Sequence, residues 1–434
     1  MTVRPHFRAT EFQLLVAPSL LCIVGLLTVF LVPRRDVHWT WNDIWISLAF
    51  IGLVYAISLS FGLLGFQGDQ VLLPLTATLS GLGLLLIQRL HPDLTHQDPA
   101  YFDLAKKQLI YLSLGYAVLW GTVVVFRRLD WLRRYKYTWL LISLGFLAIT
   151  FVFGQEINGA KLWIRLGPFQ AQPSELAKVT LVTFLAAYLE DKRDLVGSSW
   201  RVGILRLPPI PYLMPMLLMG AGALAVLVIQ NDLGSALLFF GIFLVMLYVA
   251  SGRVLYVTLG LIAFALACWV AYHVFARIDI RVQNWLDPWR DPLASGYQQI
   301  QSDYALASGG LLGSGLGKGQ PFRIPAVQTD FIFSAIGEEL GLLGTVGVLA
   351  LYLLLVMRGF AIALRASDGF ARLVAVGLSA ILGLQTIIIV GGVIRLVPLT
   401  GITLPFVSYG GSSLMTNFLI VGLLLHISGS QRPT

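Results

Sequence analysis

Long apolar runs alternate with short polar connectors along this chain. About twelve runs stand out, at 12–32, 43–65, 71–88, 108–126, 137–154, 173–190, 211–229, 233–251, 254–276, 331–357, 371–394 and 405–427. Roughly 20 apolar residues carry an α-helix across a hydrocarbon core of about 30 Å. No water is available there to satisfy backbone groups, so a spanning segment is a helix or part of a closed barrel. The runs are continuous rather than alternating, which selects helices. The expected fold class is an all-α polytopic membrane protein with about twelve transmembrane helices. The largest polar interruption, the loop 277–329, ends at Thr329-Asp330, directly before the apolar Phe331-Ile332-Phe333. A carboxylate is thereby placed where loop becomes membrane helix.

Composition agrees with a membrane frame. Of the 434 residues 57% are hydrophobic and 12% charged, against about 25% charged in an ordinary soluble domain. The first run is too long for the apolar region of a signal peptide, and no small-residue cleavage site follows it before Pro33-Arg34-Arg35. Cys22 and Cys268 both fall inside apolar runs and read as small buried hydrophobes rather than metal ligands. With a cytoplasmic N-terminus, the inner connectors hold sixteen of the 30 Lys and Arg residues, and thirteen are spread over the longer outer loops. The positive-inside bias therefore puts both termini in the cytoplasm and 277–329 outside. The net charge of +8 reflects this bias and attraction to anionic lipid head groups, and points away from nucleic acid as a partner.

Polar residues inside or beside the runs are the candidates for chemistry. Glu175 and Lys178 are three apart and share one face of a helix. Charges at that depth face a partner or a water-filled cavity, so the pair is either a structural link between helices or part of a site. Lys161 and Arg165 are cations at the outer interface, either snorkelling or held ready for an anionic group such as a phosphate. Asp232 sits where an N-cap is needed, and Asp330 reads equally as a cap or as a functional carboxylate. Of Glu338 and Glu339 at least one must face protein or water. The two histidines of 89–107 read as solvated. The glycines of 309–319 resemble a phosphate cradle but follow no strand, so they fit a segment that packs closely or moves over a cavity. Gly and Pro interrupt 398–413 where Ser and Tyr hydroxyls gather, which is tolerated only where backbone lines a cavity or is buried in protein.

In order along the chain, Asn158-Gly-Ala-Lys161, Gln172-Pro-Ser-Glu-Leu-Ala-Lys178, Asp232-Leu-Gly-Ser235, Gly296-Tyr-Gln298, Gln301-Ser302, Thr329-Asp-Phe-Ile-Phe333, Gly337-Glu-Glu-Leu-Gly341 and the run Pro398 to Ser413 resemble the SEDS (shape, elongation, division and sporulation) family. The resemblance implies a ten-helix catalytic core over 67–434, with 1–66 as two additional N-terminal helices. It implies a peptidoglycan glycosyltransferase of the bacterial cytoplasmic membrane that polymerises lipid II on the outer face and releases undecaprenyl pyrophosphate. Asp330 would be the general base, taking the proton from the acceptor sugar's 4-hydroxyl as it attacks the donor's anomeric carbon. Substrate would be bound by Lys161, Trp163, Arg165, Glu175, Lys178, Gln301, Ser302, Thr329, Ser408 and Tyr409. Lys161, Arg165 and Lys178, with Arg323 and Arg395 behind them, would offset the leaving pyrophosphate. No cofactor is implied, and a divalent cation, magnesium or manganese, is left open. The implied partner is a class B penicillin-binding protein. The sequence departs from the family pattern at Ala326, Gln328 and Leu162, where Glu, His and Arg are common. A lipid II flippase and a non-catalytic scaffold for the penicillin-binding protein are the competing readings. No internal repeat supports alternating access.

Overall fold

The computed structural model describes residues 7–32, 41–125, 130–157, 160–167, 169–192, 200–202, 205–207 and 210–430. Asn158 and Gly159 of the first motif lie outside these residues, as do Arg4, Arg127, Arg128, Arg193 and Arg432, cations expected on the inner side. The main helices are α1 (Ala9–Leu31), α2 (Trp41–Leu63), α3 (Leu72–Gln97), α4 (Leu104–Val125), α5 (Lys136–Phe153), α6 (Pro173–Asp191), α7 (Ile210–Ile229), α8 (Leu233–Ser251), α9 (Val254–Val274), α10 (Ala276–Leu286), α11 (Tyr297–Gly309), α12 (Ile332–Arg365), α13 (Gly369–Val393) and α14 (Gly411–Gly429). Ten described helices are long and apolar enough to cross a membrane, against the twelve or so expected. The other two apolar runs form α6, which carries Glu175, Lys178, Glu190 and Asp191, and α7, whose apolar stretch is the shorter Met216–Ile229. Two small antiparallel sheets add to the all-α expectation: β1 (Gln155–Ile157), β2 (Ala160–Leu166) and β3 (Phe169–Ala171) form one, β4 (Trp200–Val202) and β5 (Leu205–Leu207) the other.

The chain divides into two compact units. The first comprises Met1–Val125, Gln283–Arg358 and Gln385–Thr434. Small residues let its helices approach closely, as expected where lipid offers no hydrophobic drive between helices. A β-carbon on Gly115 would lie 2.2 Å from Phe418, so α4 and α14 touch through that glycine. Gly25 gives the same close approach between α1 and Leu85 of α3. Near the N-terminus, buried Arg8 donates to Glu11 (2.6 Å) and to the carbonyls of Phe66 and Asp69 (both 2.8 Å), while Ser58 donates to Glu11 at 2.7 Å. The two N-terminal helices are thus tied to the 66–70 turn by a buried hydrogen-bonded network. At the other end, Leu316 packs on the Leu26, Val29 and Leu85 cluster.

The 277–329 segment is largely helical rather than an open loop, and it reshapes the helix that follows. Within α12, Gly341 adopts φ 67°, ψ −166°, which splits the expected 331–357 span in two. A break leaves backbone groups without partners, and in lipid these must be met by protein. The Gly309–Gly319 stretch meets them: Ser314 N–H bonds Glu338 O (2.9 Å), Gly315 N–H bonds Glu339 O (3.0 Å), and Leu342 N–H bonds Gly310 O (3.0 Å). Such backbone-to-backbone docking leaves no room for side chains. A β-carbon on Gly313 would lie 2.2 Å from Glu339 O, and one on Gly309 1.9 Å from Gly337 O. The glycines therefore serve close packing, one of the two uses expected of them.

The second unit comprises Phe126–Val282 and Gly359–Leu384. In it α5 lies along α6, where Ser143 donates to Ala177 O at 3.2 Å. Gln230 ties α7 to α5, donating to Leu147 O (2.7 Å) and Thr150 Oγ1 (2.6 Å). Cys22 is buried as expected, but Cys268 is exposed on α9, whose apolar faces are mostly uncovered by protein.

Candidate active site

In the first unit the candidate site is built by two irregular segments meeting. The turn before α12 is organised on Ala326, whose φ of 56° is uncommon for a residue with a β-carbon. Its carbonyl accepts from Thr329 N–H (3.1 Å), Thr329 Oγ1 (3.0 Å) and Asp330 N–H (3.2 Å). Helix α12 starts at Ile332, so Phe331 rather than Asp330 occupies the position preceding its first turn. The other segment, 396–410, crosses over it. Ser408 donates to Thr329 O at 2.6 Å and accepts from Leu404 N–H at 2.9 Å, while Tyr409 N–H bonds Gln328 O at 2.8 Å. Opposite the half-buried Asp330 lies Gly401, at φ 75°. A β-carbon there would sit 3.8 Å from Asp330 Oδ2, with no other heavy atom beyond its chain neighbours within 4 Å, so Gly401 leaves room beside the carboxylate. Two residues earlier, the buried Gln328 Oε1 has no hydrogen-bond partner, a rare state that calls for a water or a ligand.

The other predicted residues of this unit divide into contact and support. Ser302 is fully buried and its hydroxyl meets Ser334 Oγ at 2.7 Å, and Ser408 is buried as well. Both hydroxyls are held by protein partners in this structure, Ser302 by Ser334 and Ser408 by Thr329 O. Tyr409 packs edge-on against Tyr111 (5.8 Å between centroids), and burial with this neighbour pushes its hydroxyl above the usual tyrosine range. It is a neutral donor at ordinary pH. Gln301 faces a cavity on α11. Arg395 is committed structurally, to Asp303 (3.3 Å) and to the carbonyls of Trp285 (2.8 Å) and Leu286 (3.2 Å). His91, expected to be solvated, meets Phe102 O.

In the second unit, Lys161, Trp163 and Arg165 stand at alternate positions of β2, so a strand's period of two puts them on one face. Lys161 and Arg165 are exposed and Trp163 half-buried. Glu175 and Lys178 form an ion pair at 2.8 Å on α6, both buried. Asp232 caps α8, accepting from Ser235 N–H at 3.0 Å, and also takes Gln172 Nε2 (3.3 Å) and Ser174 Oγ (3.4 Å). Burial pushes its carboxyl up, against the Ser235 bonds that hold it down. The two groups of predicted residues belong to different units, Asp330 with Gln301, Ser302, Thr329, Ser408 and Tyr409 in the first and Lys161 to Lys178 in the second. Among the described residues no three His, Cys, Asp or Glu side chains gather as a metal-binding group, so they do not by themselves fit a magnesium or manganese ion.

The family model for cell cycle proteins of the FtsW, RodA and SpoVE type matches residues 70–433. The chain belongs to this family. Members similar to it include the peptidoglycan glycosyltransferase RodA of Mycobacterium tuberculosis, 40% identical over 440 residues that cover 99% of this chain and 92% of that protein. The stage V sporulation protein E of Bacillus subtilis is 36% identical over 374 residues, covering 84% and 98%. Among solved members, the rod shape determining protein RodA of Thermus thermophilus matches with a TM-score of 0.60 at 31% identity, covering 85% of this chain and 98% of that one. A peptidoglycan synthase complex described as coordinating polymerisation and crosslinking matches at TM-score 0.68 and 33% identity, covering 84% and 99%. The family match begins at residue 70, just past α1 and α2, whereas the mycobacterial relative spans them too. This is a multi-pass membrane protein with a SEDS core.

Sequence reasoning missed Arg89. It is 1% exposed on α3 and donates to Glu339 (2.6 Å), Asp93 (2.5 Å) and Gly319 O (2.7 Å). A lone Arg near the end of an apolar run reads as a snorkelling interface residue. The signal that could have found it is the Glu338-Glu339 pair, since two buried carboxylates require a nearby cation.

Proposed function

We propose that the chain is a peptidoglycan glycosyltransferase that polymerises lipid II on the outer face of the bacterial cytoplasmic membrane, with both termini in the cytoplasm. The observation that carries this is the half-buried Asp330 on a turn held at three points, across from Gly401, in a chain of this family. Asp330 takes the proton from the acceptor's 4-hydroxyl as that oxygen bonds to the donor's anomeric carbon, and undecaprenyl pyrophosphate leaves. General base catalysis needs a carboxylate held within about 3 Å of the hydroxyl, which a fixed turn secures. The orphan Gln328 Oε1 and the half-buried Thr329 are positioned to orient the acceptor.

Within the second unit, Lys161 and Arg165, exposed with Trp163 on one face of β2, are the charges suited to an anionic pyrophosphate. Guanidinium and ammonium groups act there as fixed positive charge where negative charge develops. The partner is a class B penicillin-binding protein that crosslinks the new strand, in keeping with the synthase complex that the fold matches.

Purified protein incubated with labelled lipid II, with and without that partner, tests this reading. Glycan strands from the wild type support it. Absence of strands under every partner and metal condition, accompanied by lipid II translocation in liposomes, overturns it in favour of a flippase. Absence of both activities leaves a scaffold.

A further inference from the structure

A cavity of about 410 Å³ opens between α11 and the Gly309–Gly319 stretch, lined among others by Gln301, Ser308, Ser314, Lys318, Arg323 and Glu338. Its charges are arranged in an unusual order. Glu338 is 7% exposed, and its Oε1 accepts the Gln320 N–H at 2.6 Å. No cation of the described residues lies within salt-bridge distance of it. The adjacent Glu339 takes the Arg89 guanidinium, whose other two donor contacts go to Asp93 and Gly319 O. Lys318 and Arg323 are exposed at the same cavity. Arg89 and Arg323 act on Glu338 only from beyond ion-pair distance, so a ligand's cation in direct contact offsets more of the cost of burying the carboxylate. Positive side chains nearby favour an anion on the same ligand.

We propose that this cavity is a subsite for a zwitterionic group on the substrate's peptide, with an ammonium at Glu338 and a carboxylate at Lys318 and Arg323. Ser308, Ser314 and Gln301 supply neutral hydrogen bonds between the two charges. Ser314, Lys318 and Gly319 of the docked glycine stretch line it. The proposal rests on the glycosyltransferase reading for the identity of the ligand, the peptide carried by the lipid-linked disaccharide. A peptide checked here gives the polymerase selectivity for complete precursors, a property the reaction at the sugar does not need.

The test uses two lipid-linked disaccharide-peptides, one intact and one with its free peptide ammonium acetylated. Full-length wild type should prefer the intact substrate by about tenfold in kcat/KM, the effect of one charge-assisted contact. Glu338→Gln should abolish that preference by lowering kcat/KM for the intact substrate while leaving the acetylated one unchanged. Ser308→Leu, from the exposed face of α11, should do the same by filling the recess and guards against a folding defect at Glu338. No preference in the wild type, or equal losses on both substrates in both variants, overturns the proposal. If the wild type polymerises neither substrate, the glycosyltransferase reading fails instead, and binding of the soluble, lipid-free disaccharide-peptide decides the subsite alone. Binding weakened by acetylation and by Glu338→Gln supports it, and no binding, or binding indifferent to both changes, overturns it.

Discussion

Arg89→Met is the substitution whose consequence follows most directly from the structure. Arg89 is 1% exposed and holds Glu339, whose side chain is fully buried, at 2.6 Å, together with Asp93 at 2.5 Å and Gly319 O at 2.7 Å. Methionine keeps much of the stem and deletes the charge. Glu339 is then a buried carboxylate beside Glu338 and deprived of this guanidinium, a change that costs about 3–5 kcal/mol. Asp93 is 17% exposed, rehydrates, and adds little to that figure. The companion Glu339→Gln removes the offending charge, so the double variant should recover part of the loss, with a coupling of about 2 kcal/mol between the two sites. Tryptophan fluorescence during unfolding in mixed detergent micelles measures both numbers. Hydrogen exchange adds a local readout, since the lost Gly319 contact should raise exchange across 309–319. A loss under about 1 kcal/mol for Arg89→Met, or simple additivity of the two changes, would refute the claim that this ion network holds the helix break together.

Further expectations follow from single contacts. Gly313→Ala, at φ 82° and with its new β-carbon 2.2 Å from Glu339 O, should cost at least 2 kcal/mol and speed hydrogen exchange at Ser314 and Gly315. Ser408→Ala should cost about 1–3 kcal/mol by orphaning Thr329 O and the Leu404 N–H, and should lower kcat for strand synthesis more than it raises KM. Asp232→Ala, which removes the α8 cap, should cost about 1–2 kcal/mol in the same unfolding assay, and Asp232→Asn less, because an amide oxygen still caps.

How much of this was legible beforehand differs from element to element. Continuous apolar runs are set by bilayer thickness and backbone satisfaction, so the helical frame and the polar 277–329 insertion could be read directly. The break at Gly341 could not, because a run of apolar residues gives no sign of where a glycine will turn, and the partner glycines lie about 30 residues earlier. Asp232 as a cap followed from local chemistry, and the structure bears that reading out. The burial of Ser302 and Ser408 was not legible, because a hydroxyl in a motif carries no mark of its long-range partners, here Ser334 and Thr329 O. The small three-stranded sheet of β1, β2 and β3 was hidden inside a connector, yet β2 puts Lys161, Trp163 and Arg165 on one face. Arg89 was missed for the same reason as the break: its meaning lies in residues about 250 positions away.

The role of Asp330 is tested most directly by its nearest isostere. Asp330→Asn preserves shape and removes the base, so strand synthesis from labelled lipid II by the folded variant should fall by roughly 10²–10⁴-fold, with lipid II binding retained. A variant that polymerises at the wild-type rate would contradict the account, because a carboxylate that can be neutralised without loss takes no proton in the reaction.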